Sequence, residues 1–580
     1  MSLLERIAAN GEEGEIEPGK RLIRAGDDHG AGLAARLAQQ LHRLSWRTPF
    51  HALQLRGRFP LKLLAVPKDP VAGDKAAGEA ILGGTVAWNG QTAALGGLDF
   101  LDPALAPDFA DHLQSFAWLR DLAAAAGRER GARLAEAAAK AWLDRCGAAL
   151  DERAWRADQW GRRILFWTAY APYLMSSPDV VYRSKVLNTL ARGARHLDRT
   201  AEKARAGLPR ITAWAGVITA ALVVQGGPAR LGRGEAGFTR ALESGLHDDG
   251  GLISRSPAEQ LALVELLAQL RAVYLAARRD VPEIVSEALE GAVAALLAVT
   301  LGDEALSSWQ GGNMLARRRI AAAVEGTGAA PRPLRQARGW GYQRLAAKKS
   351  VVVVDGAPPP PGGVIAGACA STLAFEFSDG TCRLVVNCGG IGAAAGALPP
   401  ALVKGLRTTA AHSTLTMGDR NSTAVLEDGT LGRGVGQVEL AREDAGGVAA
   451  LQASHDGYVR RFGFIHQRGL TLAADGLELN GEDVLIPHGK KRRADPVPFS
   501  ARFHLHPAVE VTTTADGQGA LLRVRGGAVW QFRCRGGALT IEDSLWVDGD
   551  ALPHGSLQLV VTGETPPDGG TISWTFKRAK

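Results

Sequence analysis

Between residues 335 and 342 the hydrophobic pattern of this chain changes from helical to β-type, and this change limits the folds available to it. Before it, apolar residues recur every three or four positions, and breakers such as Gly226-Gly-Pro228 separate the segments. After it, the apolar runs are short and are divided by Gly, Asp and Pro. The pattern predicts an α+β multidomain chain in which helical hairpins precede an antiparallel β-sandwich.

The length of 580 residues is too great for a single core. We expect an N-terminal helix and extended strap over residues 1–100, a helical domain over 101–335 and a sandwich over 336–580. Helices are predicted near residues 33–41, 109–116, 155–167, 186–197, 211–224 and 263–275. Strands are predicted at 350–354, 372–377, 384–387, 462–466, 503–506, 521–524, 529–532, 557–561 and 572–576. Residues 373–377 and 383–387, with Asp379-Gly380 between them, form a predicted hairpin.

The formal net charge of +7 favours an acidic partner, such as a polyanionic glycan, a nucleic acid or a membrane surface. The one dense basic run, Lys490-Lys-Arg-Arg493, is more typical of a solvated loop than of a nucleic-acid site. Five cysteines without CxxC spacing predict reduced thiols that bind no metal. Residues 1–28 lack the apolar segment of a secretory signal, which favours a cytoplasmic location, and no apolar run reaches the length of a membrane span.

Several strings along the chain resemble the heparinase II/III family of polysaccharide lyases. In the first half they are Phe116-Ala-Trp-Leu-Arg-Asp-Leu122, Trp160-Gly-Arg-Arg-Ile-Leu-Phe-Trp167 and Asp249-Gly-Gly-Leu-Ile-Ser-Arg-Ser-Pro257. In the second half they are Gly341-Tyr-Gln-Arg-Leu345, Asn387-Cys-Gly389, Ala411-His-Ser-Thr-Leu415, His455-Asp-Gly-Tyr458 and Arg502-Phe-His-Leu-His-Pro507. The resemblance implies an incomplete (α/α) toroid followed by a stacked antiparallel β-sandwich.

Such proteins cleave polysaccharides that contain uronic acid by β-elimination. A neutralising group must stabilise the charge that develops at the uronate carboxylate, and a Tyr or His must remove the neighbouring proton. The family's HxHxD string falls on residues 367–371, which contain neither His nor Asp. Its Asp-Pro-Gly falls on Asn387-Cys-Gly389, its helical-domain Tyr falls near Glu259, and its Asn-His pair falls within residues 211–221, which contain neither residue. We therefore expect no zinc site and no cofactor.

His412 and Arg407 are the principal catalytic candidates, because Arg binds a carboxylate bidentately while His transfers a proton. The alternative for His412 is a histidine at a strand start that is bonded to the backbone. Tyr458 and His247 are further catalytic candidates, although a Tyr after a Gly turn is more often a packing residue.

Asn387, Arg255 and Asp249 are candidates for substrate binding. The acidic pair before Gly250-Gly251 could instead be ordinary turn chemistry. His504 and His506 share one strand face, but without an evident third ligand we expect them to pack or to form hydrogen bonds.

Two functions remain open. The chain is either a polysaccharide lyase-like enzyme for an acidic glycan, or a catalytically inactive relative that binds glycans or assists cell-envelope assembly. Convergence of the catalytic candidates in one cleft would favour the enzyme. The resemblance also implies a periplasmic location, whereas the lack of an apolar signal segment in residues 1–28 favours the cytoplasm. The sequence does not determine the oligomeric state.

Overall fold

The computed structural model describes residues 16, 19–25, 55, 57, 62–148, 150–390, 396–427, 429–489 and 495–579. Within these residues, a helical first half is followed by a domain of antiparallel sheets, as predicted. The predicted helix at 33–41 and the basic run at 490–493 lie outside the described residues.

The helical half is built from successive helices whose buried faces share one core. In chain order they are α1 Lys75–Leu82, α2 Pro107–Ser115, α3 Leu119–Ala125, α4 Arg128–Cys146, α5 Glu152–Trp155, α6 Ala157–Ala169, α7 Ala171–Leu174, α8 Val180–Thr200, α9 Leu208–Val223, α10 Leu231–Gly245, α11 Pro257–Ala276, α12 Glu283–Ala298 and α13 Arg317–Thr327.

Helix α9 is apolar on nearly all sides and is buried along its length, which is the environment such a sequence requires. It crosses α6 closely at Gly161, where an added Cβ atom would lie 2.2 Å from the Thr212 carbonyl oxygen. The tryptophans of this region, including Trp160 and Trp167, are core residues, as their helical spacing indicated. Among the described residues, no helix has the length and apolar character needed to cross a membrane.

The segment before the helical domain is more regular than the extended strap that we expected. Asp74 accepts hydrogen bonds from the backbone N–H groups of Ala76 and Ala77 and so caps helix α1. A hairpin of β2 Thr85–Trp88 and β3 Gln91–Ala94 turns at Asn89-Gly90, where both residues have positive φ. Asn-Gly is the sequence signal for this hairpin, and the irregular pattern around it concealed that signal.

The strands form two large antiparallel sheets. In addition to β2 and β3, they are β1 Lys20–Arg24, β4 Tyr342–Ala347, β5 Ser350–Asp355, β6 Phe375–Asp379, β7 Cys382–Val386, β8 Leu415–Met417, β9 Gln437–Ala445, β10 Val448–His455, β11 Phe464–Leu472, β12 Glu478–Pro487, β13 Val497–Leu505, β14 Val509–Thr513, β15 Gly519–Val524, β16 Val529–Arg535, β17 Ala538–Val547, β18 Pro553–Thr565 and β19 Gly570–Arg578. Two short helices, α14 Pro400–Gly405 and α15 Val459–Phe462, interrupt this half.

One sheet has the order β1-β9-β10-β11-β12-β19-β16-β15-β14, and the other has the order β17-β18-β13-β7-β6-β5-β4, with β8 paired to β13. The predicted hairpin is confirmed as β6 and β7. Aromatic side chains from the two sheets pack between them, for example Phe375 stacked on Trp574 at 5.4 Å. Strand β1, which comes from the N-terminal segment, extends the edge of the first sheet beside β9.

Candidate functional site

The two halves of the chain meet at a buried ion pair between Arg255, which precedes helix α11, and Asp355, at the end of strand β5. Arg255 Nη2 donates to Asp355 Oδ1 at 2.5 Å, while its Nε and Nη1 donate to the Trp340 and Pro358 carbonyl oxygens at 2.8 Å each. Both side chains of the pair are almost completely buried. Arg255 thus holds the loop before α11 against the first strands of the sandwich.

Asp355 also accepts hydrogen bonds from within the sandwich half and from the loop before α13. The Ser371 hydroxyl donates to its Oδ2 at 2.6 Å, and Gln310 Nε2 lies 3.3 Å from the same oxygen. Gln310 additionally accepts from the Cys369 N–H at 2.8 Å and has the left-handed φ of 40°. Arg255 is left-handed as well, with a φ of 55°, so the network holds two non-glycine residues in a costly backbone conformation.

Asp249 and His247 lie at the same junction, in the turn between α10 and α11. Asp249 Oδ2 accepts from the backbone N–H groups of Gly339 and Trp340 at 2.8 Å each, and its Oδ1 accepts from Gly251. Burial lowers the pKa of His247, whose Nε2 is buried and has no hydrogen-bond partner among the described residues. The Asp-Asp-Gly-Gly string therefore forms a turn. Its second acid, Asp249, holds Gly339 and Trp340, which lie just before the first sandwich strand β4.

Asn387 lies at the end of strand β7. Its Nδ2 donates to Glu376 Oε1 at 3.0 Å, and its Oδ1 accepts from the Ser413 N–H at 3.0 Å. Glu376 is fully buried beside Arg383, and burial raises its pKa. Both the nitrogen and the oxygen of the Asn387 amide are therefore hydrogen-bonded within the fold.

His412 and Arg407 lie in the loop between α14 and β8. His412 Nδ1 lies 2.8 Å from the Thr408 carbonyl oxygen, which can only accept, so Nδ1 carries the proton and Nε2 the lone pair. Burial lowers the pKa of His412 to about 4, so its ring is neutral at neutral pH. Arg407 is buried, and its Nε donates to the Ala368 carbonyl oxygen at 2.9 Å.

Tyr458 lies in the sandwich core, where its hydroxyl donates to the Leu415 carbonyl oxygen at 2.8 Å. Burial raises the pKa of this hydroxyl. His247 thus lies at the domain junction, His412 and Arg407 in the loop before β8, and Tyr458 in the sandwich core. His412, Arg407 and Tyr458 each bind a backbone carbonyl, and Asp355 of the junction acts electrostatically on His412.

A buried polar chain that the sequence did not indicate runs between strands β10, β11 and β12. The Gly457 N–H donates to His455 Nδ1 at 3.1 Å, which leaves the His455 proton on Nε2, 3.3 Å from His466 Nδ1. His466 Nε2 then donates to Asp483 at 2.8 Å, and Arg468 binds both oxygens of that carboxylate. With every donor matched to an acceptor, this chain is a structural element of the core.

The positions that correspond to the family's metal string do not fit a zinc ion. The Cys369 thiol donates to the Gly367 carbonyl oxygen at 3.2 Å, and burial raises its pKa to about 11. His504 contacts the Ala410 carbonyl oxygen and the Ser544 hydroxyl through its two ring nitrogens. In the described part of the chain, no group of three or more His, Cys, Asp and Glu residues is arranged to hold a metal ion.

A second cluster, the carboxylate rim, lies where helices α2, α6 and α11 begin. Its members interact electrostatically with one another, and they are Asp108, Asp111, Asp158, Glu259, Arg156, Arg162 and Arg205. All four acids are half-buried, and Arg205 is exposed, so solvent reaches the cluster.

Within the carboxylate rim, Arg156 lies between two acids. Its Nη2 is 2.7 Å from Asp111 and 2.7 Å from Asp158. Burial and the neighbouring Asp111 raise the pKa of Asp108 to about 6, and burial raises that of Glu259. Ser254 is buried beside Glu259, and the interaction of its hydroxyl with that carboxylate opposes the effect of burial on the pKa of Glu259.

Sequence reasoning named Glu259 only as the residue near which the family's Tyr falls, and it did not find the other acids of the carboxylate rim. Their signal is an acid in the first turn of each helix, at Asp108, Asp158 and Glu259. That pattern stabilises any helix, so it does not reveal that three helix ends meet.

The fold and the junction define the class of protein: a chain with a helical domain and a β-sandwich domain, as in polysaccharide lyases. Residues 329–575 match the family model for the heparinase II/III-like C-terminal domain. The chain is 30% identical over 561 residues to FtsZ-localized protein C of Caulobacter vibrioides, covering 91% of this chain and 92% of that protein. The chain belongs to the heparinase II/III-like family.

Solved structures agree with this fold. The crystal structure of heparinase III superposes with a TM-score of 0.66 at 12% identity, covering 96% of this chain and 93% of that one. Heparan sulfate lyase HepC from Pedobacter heparinus superposes with a TM-score of 0.57 at 14% identity, covering 94% of this chain and 88% of that one. At these identities the likeness concerns the fold.

Proposed function

We propose that this chain is a glycan-binding, heparinase-like protein of the cell envelope that performs no β-elimination. The observation that carries the proposal is the buried hydrogen-bond network around Ser371 and Asn387, on which the resemblance places parts of the family's metal and catalytic strings. There Ser371 and Gln310 bind Asp355, and Asn387 binds Glu376. Side chains that are committed to partners within the fold cannot bind a substrate without breaking those bonds.

The relative from Caulobacter vibrioides carries a name that places it with FtsZ, and it aligns with nearly the whole of this chain. On that basis we propose that this protein also acts where the envelope is remodelled during division. A fluorescent fusion of the full chain, imaged together with FtsZ in its host, tests this part. Even distribution around the envelope would contradict it.

Elimination of a uronic-acid glycan is the second candidate function, and the state of His412 favours it. The ring is neutral and has its lone pair on Nε2, which is the form that a general base requires. Arg407 lies five residues away and would supply the positive charge for the uronate carboxylate. In this scheme Tyr458 and His247 would serve as further proton-transfer groups, and Asn387, Arg255 and Asp249 would contact the substrate.

One experiment separates the two functions. The purified full chain is incubated with heparin, heparan sulfate, chondroitin sulfate, alginate and polyglucuronate while the absorbance of the unsaturated product is followed, and binding to each glycan is measured in parallel. We expect binding without any increase in absorbance. An increase that His412→Ala abolishes would contradict the proposal and would establish elimination.

A further inference from the structure

The second large sheet has one face in the sandwich core and an outer face that points away from it. Strand β13 alternates between the two, and Phe503 belongs to the core, so Arg502 and His504 lie on the outer face. The outer face holds several polar atoms that are closed to solvent and have no hydrogen-bond partner among the described residues. They are Arg502 Nη1, Thr414 Oγ1, Gln558 Oε1, Ser556 Oγ and Trp546 Nε1.

The strand register places four of these residues next to one another. The Arg502 N–H donates to the Thr414 carbonyl oxygen at 3.0 Å, so the two side chains are cross-strand neighbours on the outer face. On the other side of β13, His504 pairs with Gln558, which makes Gln558 a diagonal neighbour of Arg502. Ser556 is the next residue of β18 on this face. A guanidinium, two hydroxyls and an amide therefore form one continuous polar surface.

Arg502 gives this surface a positive charge that the fold does not neutralise. Two acids share the outer face, Glu542 and Glu564, and both are exposed. Within the part of the chain that the structure describes, neither acid forms an ion pair with Arg502, and the guanidinium donates no hydrogen bond. Arg502, Gln558 and Ser556 are half-buried, so the surface can be reached from solvent. A partly desolvated guanidinium without a counter-charge favours an anionic ligand.

The Thr414 hydroxyl is an independent sign of a ligand. Thr414 is 1% exposed, and its hydroxyl has no hydrogen-bond partner among the described residues. The hydroxyl of Thr416, two residues further along the same face, lies 3.3 Å from the Ser500 carbonyl oxygen, so an acceptor is found for it within the fold. Leaving a buried hydroxyl unpaired is unfavourable. An oxygen atom bound by Arg502 would supply the missing acceptor, because the two side chains are neighbours.

We propose that the outer face binds a sugar acid, a ring that carries a carboxylate, as part of an acidic glycan. The carboxylate accepts hydrogen bonds from the Arg502 guanidinium and the Thr414 hydroxyl, and the ring hydroxyls bond to Gln558 and Ser556. Diagonal neighbours in a sheet are about 7–8 Å apart, so one sugar ring can contact both Arg502 and Gln558. This inference rests on the proposed glycan-binding function and specifies the group that is recognised and the residues that bind it.

The test compares two oligosaccharides with the same β-1,4 linkage, a glucuronate oligomer and a glucose oligomer, which differ only in whether each ring carries a carboxylate. Calorimetry measures their binding to the full chain near neutral pH. We expect the glucuronate oligomer to bind at least about tenfold more tightly, the size of one charged hydrogen bond, and its affinity to fall with added salt. Arg502→Gln should remove most of this difference. Arg502→Lys should restore part of it, because Lys supplies the charge without the bidentate geometry.

Stability measurements separate binding from a structural role. The fold uses neither the Arg502 guanidinium nor the Thr414 hydroxyl, so Arg502→Gln and Thr414→Val should weaken the glucuronate oligomer while the urea midpoint stays unchanged. A lowered midpoint of both variants would overturn the inference, since the two side chains would then hold the fold. Arg533→Gln is the matched control, because Arg533 is an exposed arginine of the same half, paired with Asp516. It removes the same charge and should leave the affinity unchanged.

Equal affinity for the glucuronate and glucose oligomers would overturn the inference, since the carboxylate would then contribute nothing. Unchanged binding of the glucuronate oligomer to Arg502→Gln would also overturn it, because the glycan would bind elsewhere. In both cases glycan binding itself would stand. A heparin oligomer that bound more tightly and depended on Arg502 would assign the site to sulfate groups and contradict the carboxylate. If no glycan of either set bound, the proposed function would fall together with the inference.

Discussion

The junction pair offers the strongest test of the structural interpretation. We expect Arg255→Ala to lower the free energy of unfolding by about 3–5 kcal/mol, the cost of removing one partner of a buried ion pair. Removing the guanidinium takes away the 2.5 Å bond to Asp355 and leaves this carboxylate with two neutral donors in a buried site. It also leaves the Trp340 and Pro358 carbonyl oxygens without their donor.

The assay is urea unfolding followed by tryptophan fluorescence, with Arg145→Ala as the matched control. Arg145 forms a 3.0 Å ion pair with Asp99, but both side chains are about half exposed, so its loss should change the stability little. Arg255→Lys should remain strongly destabilised, because an ammonium group cannot reproduce the three-sided contact of the guanidinium.

If Arg255→Ala cost no more than Arg145→Ala, the structural role assigned to the junction would be wrong. The same variant tests the substrate-binding role predicted for Arg255 from the sequence. Loss of glycan affinity at unchanged stability would support that role, whereas the structural role requires the stability to fall.

Three further predictions concern the two halves separately. Burial lowers the pKa of histidines such as His455 and His466, so below about pH 6.5 the unfolded chain binds protons that the folded chain does not bind. The urea concentration at the unfolding midpoint should therefore decrease when the pH is lowered from about 7 to about 5. A constant midpoint would contradict this. Gly161→Ala should lower the free energy of unfolding by at least about 1–3 kcal/mol in the same assay, because its Cβ atom would meet the α9 backbone. Gly232→Ala is the control: this helical position has open space around it, so the free energy of unfolding should stay unchanged or rise by about 0.5 kcal/mol. Asp108→Asn should raise the thermal midpoint at neutral pH, by an amount that corresponds to a gain of about 1–2 kcal/mol in the free energy of unfolding. The reason is that the pKa of Asp108 is raised, so its ionised form destabilises the fold. A lowered midpoint would refute this.

Much of the architecture could be predicted because the hydrophobic period follows burial directly. Helix α9 and the β6–β7 hairpin were predicted from local patterns. Strand β17, by contrast, was missed. Four of its ten residues are exposed and only two are buried, so its pattern lacks the apolar run by which strands were recognised. Strand β1 was also missed, because its pairing with β9 joins segments more than 400 residues apart and leaves no local trace.

The site was less predictable, because residue type does not reveal what a side chain contacts. Asn387, Arg255 and Asp249 are polar residues in strings that resemble lyases, and each one forms hydrogen bonds that hold the fold together. The sequence around a loop histidine such as His412 does not show whether its ring binds a substrate or, as in this structure, the Thr408 carbonyl oxygen. Only the positions of the partner groups distinguish these roles.

The carboxylate rim shows that the net charge of a chain does not give the charge of each part of its surface. The excess of basic residues is a property of the whole sequence, whereas recognition depends on the few charges that converge at one place. Here three helix ends bring together more acids than arginines, and burial, together with the neighbouring Asp111, raises the pKa of Asp108 to about 6. A ligand that supplies positive charge would relieve that cost, and a polyanion would increase it. If Asp108→Asn gains stability as predicted, the ionised acid is not retained for the stability of the fold.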